Sequence, residues 1–269
     1  MSFARRVVTR RMTALLTDKT AIVYGAGGAI GGAIARTFAR EGATVHLAGR
    51  TRETLDAVAA DIAAAGGRAH VAVLDATDEH AVDAHAEQVG RIDISLNLIN
   101  RGDDQGTPLV DMSVERVLGA LTTGVATSFI TARAAARQMQ GSGVILHLTS
   151  GSARAAQPGM GNTGPTDAAT EALHRYLAAE LGPAGIRVVG IHTAAVRETL
   201  TAEKVAAVNG ADPAAIDVDA ILAGISQMTM LRRQPALQQI AETATFLASD
   251  GAGAITSGIV NATCGLVPG

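Results

Sequence analysis

From residue 18 onward, short apolar runs alternate with longer stretches whose apolar residues recur at helical spacing. This alternation narrows the fold more than any other feature. Strands are expected at 21–24, 43–48, 70–74, 92–99, 144–149, 186–191 and 259–262. Helices are expected at 30–40, 51–65, 78–89, 113–139, 167–181 and 236–248. Strands separated by helices pair in parallel, and their crossovers cover both faces of the sheet. The sequence therefore predicts a single doubly wound α/β domain over 18–269, with a mostly parallel seven-stranded sheet and helices on both faces. Residues 193–233 break the rhythm with short helical pieces around Gly210 and Pro213. An insertion at a strand end is the expected place for a substrate-side lid.

The first strand, Ala21-Ile22-Val23-Tyr24, runs directly into Gly25-Ala26-Gly27-Gly28-Ala29-Ile30-Gly31, and a helix follows. A glycine-rich turn between strand and helix is the phosphate-binding turn of a Rossmann-type dinucleotide site. Gly25 permits the tight turn. Small residues at 26–29 let a pyrophosphate approach backbone N–H groups at the helix N-terminus, and Gly27, Gly28, Ala29 and Ile30 are expected to bind the cofactor. Gly31 lets the helix pack close to the sheet. About 20 residues past such a turn, an acidic residue usually holds the ribose hydroxyls of NAD. The second strand here ends in Leu47-Ala48-Gly49-Arg50, with Arg52 close behind. Guanidinium forks suit a 2′-phosphate, so NADP is the expected cofactor and NAD the weaker alternative.

Composition limits the rest. The chain has 269 residues, enough for one core that needs neither metal nor disulfide. Aromatic residues make up only 2%, so the core must come from Ala, Val, Leu and Ile. A formal charge of -3 gives no reason to expect nucleic acid. No run of about 20 apolar residues predicts a membrane span. Residues 1–17 read as a basic tail carrying Arg5, Arg6, Arg10 and Arg11, and Met12 is a possible natural start. Cys264 is the only cysteine, which points to a reducing cytoplasm and to a small buried residue near the last strand. No metal site is expected. Asp103 and Asp104 read as the polar rim of a loop.

The pattern resembles the short-chain dehydrogenase/reductase family over residues 18 to 265. Tyr24-Gly25-Ala26-Gly27-Gly28-Ala29-Ile30-Gly31 is similar to its Thr-Gly-x-x-x-Gly-x-Gly turn, with Ala29 in place of the middle glycine. Asp75 matches the family's adenine-side aspartate. Asn97-Leu98-Ile99-Asn100 stands where the family has Asn-Asn-Ala-Gly, so only Asn97 matches. Gly90-Arg91-Ile92-Asp93-Ile94, Phe246-Leu247-Ala248-Ser249-Asp250 and Thr256-Ser257-Gly258 also fit. Thr193-Ala194 replaces a Pro-Gly after the sixth strand. The resemblance implies that Asp75, Asn97 and Thr193 join the glycine turn in holding the cofactor. It also implies a homodimer or homotetramer, associated through the long helices near 113–139 and 167–181 with the C-terminal strand helping.

The catalytic register departs from the family. The family has a serine, a tyrosine thirteen residues on, and a lysine four beyond that. Here Ser150 is followed at those spacings by Thr163 and Asp167, and the family's helical asparagine falls on Leu121. A threonine has no accessible anion comparable to a phenolate, and an aspartate opposes an anion where a lysine would support it. Three groups remain: Ser150 as a donor to a carbonyl oxygen, Thr163 as a second donor, and Asp167 as an acceptor for ribose hydroxyls or as a general acid. His192 reads as a structural strand-end residue and His147 as a satisfied core histidine. No tyrosine or lysine is expected within reach of Thr163 and Asp167.

These residues leave three readings. The first is an NADP-dependent oxidoreductase on a small or hydrophobic ketone or alcohol, with an altered proton donor. The second is a non-catalytic dinucleotide-binding sensor or assembly protein. The third is a non-redox lyase or isomerase that uses Asp167 as base.

Overall fold

A computed structural model describes residues 14–268. The four N-terminal arginines and Met12 lie outside the described residues. The chain runs β1 (Thr20–Tyr24), α1 (Ala29–Arg40), β2 (Thr44–Gly49), α2 (Arg52–Ala64), β3 (Arg68–Val73), α3 (Glu79–Val89) and β4 (Ile94–Asn97). It continues through α4 (Val114–Gln138), β5 (Gly143–Ser150), α5 (Thr163–Leu181), β6 (Ile186–Thr193), α6 (Ala202–Asn209), α7 (Val218–Met228), α8 (Leu237–Ala248) and β7 (Ile259–Ala262).

The seven strands lie in the order β3-β2-β1-β4-β5-β6-β7, and every pairing is parallel. The sequence predicts a mostly parallel sheet, and the described strands form a wholly parallel one, because each connection carries a helix across a face. From β1 the chain winds outward to β3, then returns to β4 and winds the other way. The crevice at the carboxyl ends of β1 and β4 is thus the switch point, where ligands of such sheets bind.

Two apolar layers hold the helices on. One gathers Val23, Ile34, Phe38, Leu55, Leu146 and Leu247 between the sheet and α1, α2 and α8. The other gathers Ile22, Tyr24, Val82, Ile92, Ile145 and Val188 under α3, α4 and α5. α4 is long and apolar enough to cross a membrane by composition alone, but it packs between α3 and α5. Phe129 on α4 and Tyr176 on α5 stay exposed at 42% and 73%, on the two helices expected to carry association.

α5 begins four residues earlier than expected. Pro165 suggests a break, but it falls in the first helical turn, where its missing N–H has no intrahelical acceptor to lose. Cys264, expected to be buried, is half-exposed with a positive φ of 56° in the turn after β7.

The buried stripe of α5 is polar: Thr163, Thr166, Asp167, Thr170, Glu171 and His174. His147 is buried as expected, but neither of its ring nitrogens finds a hydrogen-bond partner. It stacks on His174 instead, with centroids 3.7 Å apart and planes 9° apart. Burial lowers the pKa of both, His174 to about 4 and His147 well below its ordinary value, and each neighbouring imidazole lowers His147 further. The fold therefore favours the neutral rings. Their contribution is complete above the unfolded pKa of about 6.5 and is lost as pH falls towards 4, because the unfolded chain binds the protons first. For His174 this loss is on the order of 3 kcal/mol. Urea unfolding at pH 7 and pH 4.5 should show the decline, and His174→Phe should make it shallower, with His147 carrying the remainder. An equally steep decline in the variant would assign the pH dependence elsewhere.

Candidate active site

A cleft of about 720 Å³ opens at the carboxyl ends of the strands. Gly25, Gly28, Ala29, Ile30 and Gly31 line one side, and Ser150, Thr163, Asp167 and the α6–α7 segment line the other. The glycine turn is shaped by close backbone contacts. Gly25 has φ +81°, and a Cβ on it would lie 2.4 Å from the Leu98 carbonyl oxygen. A Cβ on Gly31 would lie 2.3 Å from the Gly25 carbonyl oxygen. Gly28 caps α1 without a side-chain hydrogen bond, so the first-turn N–H groups are left to a ligand. This cradle fits a dinucleotide pyrophosphate.

The remaining cofactor residues divide. Thr193 lines the cleft, and its hydroxyl donates to the Ala194 carbonyl at 3.1 Å. Arg50 follows β2 and is exposed. Arg52 opens α2 and pairs with Asp56 at 3.8 Å. Asp75 lies beyond β3, where hydrogen bonds from Thr77 and the nearby Arg50 lower its pKa. Gly27 packs against Thr54 of α2. Asn97 is not among the residues lining the cleft: its amide donates to Thr127 Oγ1 at 3.2 Å and its carbonyl accepts from the Ile99 N–H at 2.9 Å. It fastens β4 to α4.

Ser150 ends β5, while Thr163 and Asp167 sit one turn apart at the start of α5. The structure joins Ser150 and Asp167 directly. Ser150 Oγ donates to Asp167 Oδ2 at 2.6 Å, and the Ser150 N–H donates to the same oxygen at 3.0 Å. Asp167 is fully buried, not the solvated carboxylate that a helix start usually carries. Its other oxygen, Oδ1, lies 2.6 Å from Arg101 Nη1, an ion pair rather than a straight hydrogen bond. Burying an uncompensated carboxylate is costly, so Arg101 is what lets Asp167 occupy this position.

Arg101 comes from the loop after β4, and that loop is tied down. Arg101 Nε donates to Asp103 at 2.8 Å. Asp104 pairs with Arg116 at 2.6 Å. Asn162 accepts from the Asp104 N–H and donates to the Arg116 carbonyl. Gln105 Nε2 donates to Thr163 Oγ1 at 3.0 Å. Spacing did not pick out Arg101, Gln105 or Asn162, which contact or brace Asp167 and Thr163. The one available signal was that a buried aspartate in a lysine's place needs a cation.

The other polar groups are engaged elsewhere. His192 Nε2 lies 2.6 Å from Glu171 Oε1, which also accepts from Thr149, so His192 is a paired strand-end residue as expected. Tyr24 is buried in the core, and burial raises its pKa, with the nearby Asp83 adding to the effect. Lys204 of α6 does line the cleft, but its ammonium donates to the Thr199 carbonyl at 3.0 Å. Among the described residues it makes no hydrogen bond to Ser150, Thr163 or Asp167.

Comparison with known proteins adds a lineage to this geometry. A sequence profile described as Enoyl-(Acyl carrier protein) reductase matches residues 25–267. An uncharacterized oxidoreductase of Mycobacterium tuberculosis is 33% identical over 248 residues, covering 90% of this chain and 89% of its own. The 7alpha-hydroxysteroid dehydrogenase of Escherichia coli K12 is 31% identical over 264 residues, covering 93% and 94%. A 7alpha-hydroxysteroid dehydrogenase structure complexed with NADH and 7-oxo glycochenodeoxycholic acid superposes with a TM-score of 0.80, at 30% identity over 94% of this chain and 96% of that one.

Proposed function

We propose that this chain, which belongs to the short-chain dehydrogenase/reductase family, uses NADP and replaces the family's tyrosine and lysine with Thr163 and a Ser150–Asp167–Arg101 cluster. It is an NAD(P)-dependent oxidoreductase acting on a small molecule, the first of the three readings drawn from the sequence. The observation that carries the proposal is the buried Asp167 carboxylate, bonded to Ser150 and paired with Arg101, in the same cleft as the glycine turn.

The dinucleotide, when bound, supplies the hydride acceptor or donor. The glycine turn would hold its pyrophosphate. Arg50 would meet a 2′-phosphate, beside a β2 end that offers no carboxylate to a ribose hydroxyl. Leu200, Val205, Val208, Ile221, Ile225 and Met228 give the 193–233 segment an apolar inner face, suited to a hydrophobic ketone or alcohol. In this reading that segment is the lid.

Equilibrium titration tests the cofactor assignment. NADPH should bind at least about tenfold tighter than NADH, roughly 1.4 kcal/mol. Arg50→Ala should narrow the gap. NADH binding as tight as NADPH would refute the preference.

A further inference from the structure

We infer that the site is built to receive an alcohol hydroxyl, with Ser150 as its proton acceptor and Asp167 as the base behind Ser150. This rests on the oxidoreductase reading and names the substrate form that the site accepts. A serine hydroxyl has one proton, and that of Ser150 is directed to Asp167 at 2.6 Å. The Ser150 oxygen also accepts from the Ser152 N–H at 3.2 Å, which leaves one lone pair of a cleft-lining atom for a ligand. Ser150 therefore faces the cleft as an acceptor, the reverse of the donor that a ketone needs. Thr163 complements it. Its oxygen accepts from Gln105 Nε2, so its own proton is left for a ligand. An alcohol oxygen satisfies both, donating to Ser150 while accepting from Thr163. A ketone oxygen can only accept, and its lone pairs would face that of Ser150.

The same arrangement balances an oxidation. The carbinol C–H bond breaks, and its electron pair leaves with the hydrogen as hydride to an oxidised nicotinamide dinucleotide. The O–H bond breaks, its electrons form the carbonyl π bond, and its proton passes to Ser150 Oγ. The proton of Ser150 passes to Asp167, which becomes a neutral acid and returns its proton through Ser150 Oγ to water in the cleft once the ketone has left. Arg101 keeps Asp103 as a partner in that state.

The test uses a matched pair of probes, cyclohexanol and cyclohexanone, binding to the purified chain without cofactor, read by saturation-transfer NMR. The alcohol should bind about tenfold tighter than the ketone. Ser150→Ala should bring the two to parity, because Asp167 keeps Arg101 and the backbone N–H of position 150. A ketone bound as tightly as the alcohol, no binding of either up to saturation, or a preference unchanged in Ser150→Ala would overturn the inference. NADPH titration of the same samples keeps the outcomes apart. Loss of NADPH binding strikes the oxidoreductase reading, whereas NADPH binding without alcohol preference strikes only this inference.

Discussion

Asp167→Lys lowers stability by at least about 3 kcal/mol, and adding Arg101→Ala recovers most of the loss. The expectation follows from the ion pair. Arg101 Nη1 lies 2.6 Å from a carboxylate oxygen with no solvent exposure, so the substitution sets an ammonium against a guanidinium in a buried site. Removing Arg101 relieves that repulsion. Denaturant unfolding of the two single variants and the double closes the cycle. A destabilised Asp167→Lys that Arg101→Ala does not rescue would show that the two side chains are not coupled. The cycle also governs any attempt to rebuild the family's site. Thr163→Tyr with Asp167→Lys restores its residues in register, but the pair has to fail while Arg101 remains. The variant expected to regain a tyrosine-based activity also carries Arg101→Ala.

Much of this fold is legible in the sequence because the signals are local. Alternating strand and helix patterns imply parallel pairing, and the Gly25 to Gly31 turn sits where a strand meets a helix. Each signal comes from neighbours in sequence. The start of α5 is less legible, since Pro165 breaks a helix interior but is tolerated in a first turn, and only the hydrogen-bond pattern tells the two apart. Asn97 shows the limit of register. Its position matches the family, yet its amide is bound to Thr127 on α4, thirty residues away. Arg101 was the least legible of all. It lies in an irregular loop with no period to fix its direction, and it reaches Asp167 only because β4 and α5 are brought together by the sheet. The Ser150 and Asp167 positions can be read by counting, but the direction of the Ser150 proton cannot. It depends on a carboxylate being within 2.6 Å.

That direction sets the largest expected catalytic effect. Ser150→Ala should cut turnover about a hundredfold or more, the usual scale for losing a positioned acid–base group. In the proposed oxidation, the group lost is what links the reacting hydroxyl to Asp167. The measurement that tests this account most directly is the formation of NADPH from NADP⁺ by the full chain with a panel of apolar secondary alcohols, run beside Ser150→Ala. The account predicts NADPH formation by the unmodified chain with at least one alcohol, and a loss of about a hundredfold in the variant. A chain that binds NADP⁺ but forms no NADPH from any alcohol, or one whose turnover is indifferent to Ser150, would contradict it.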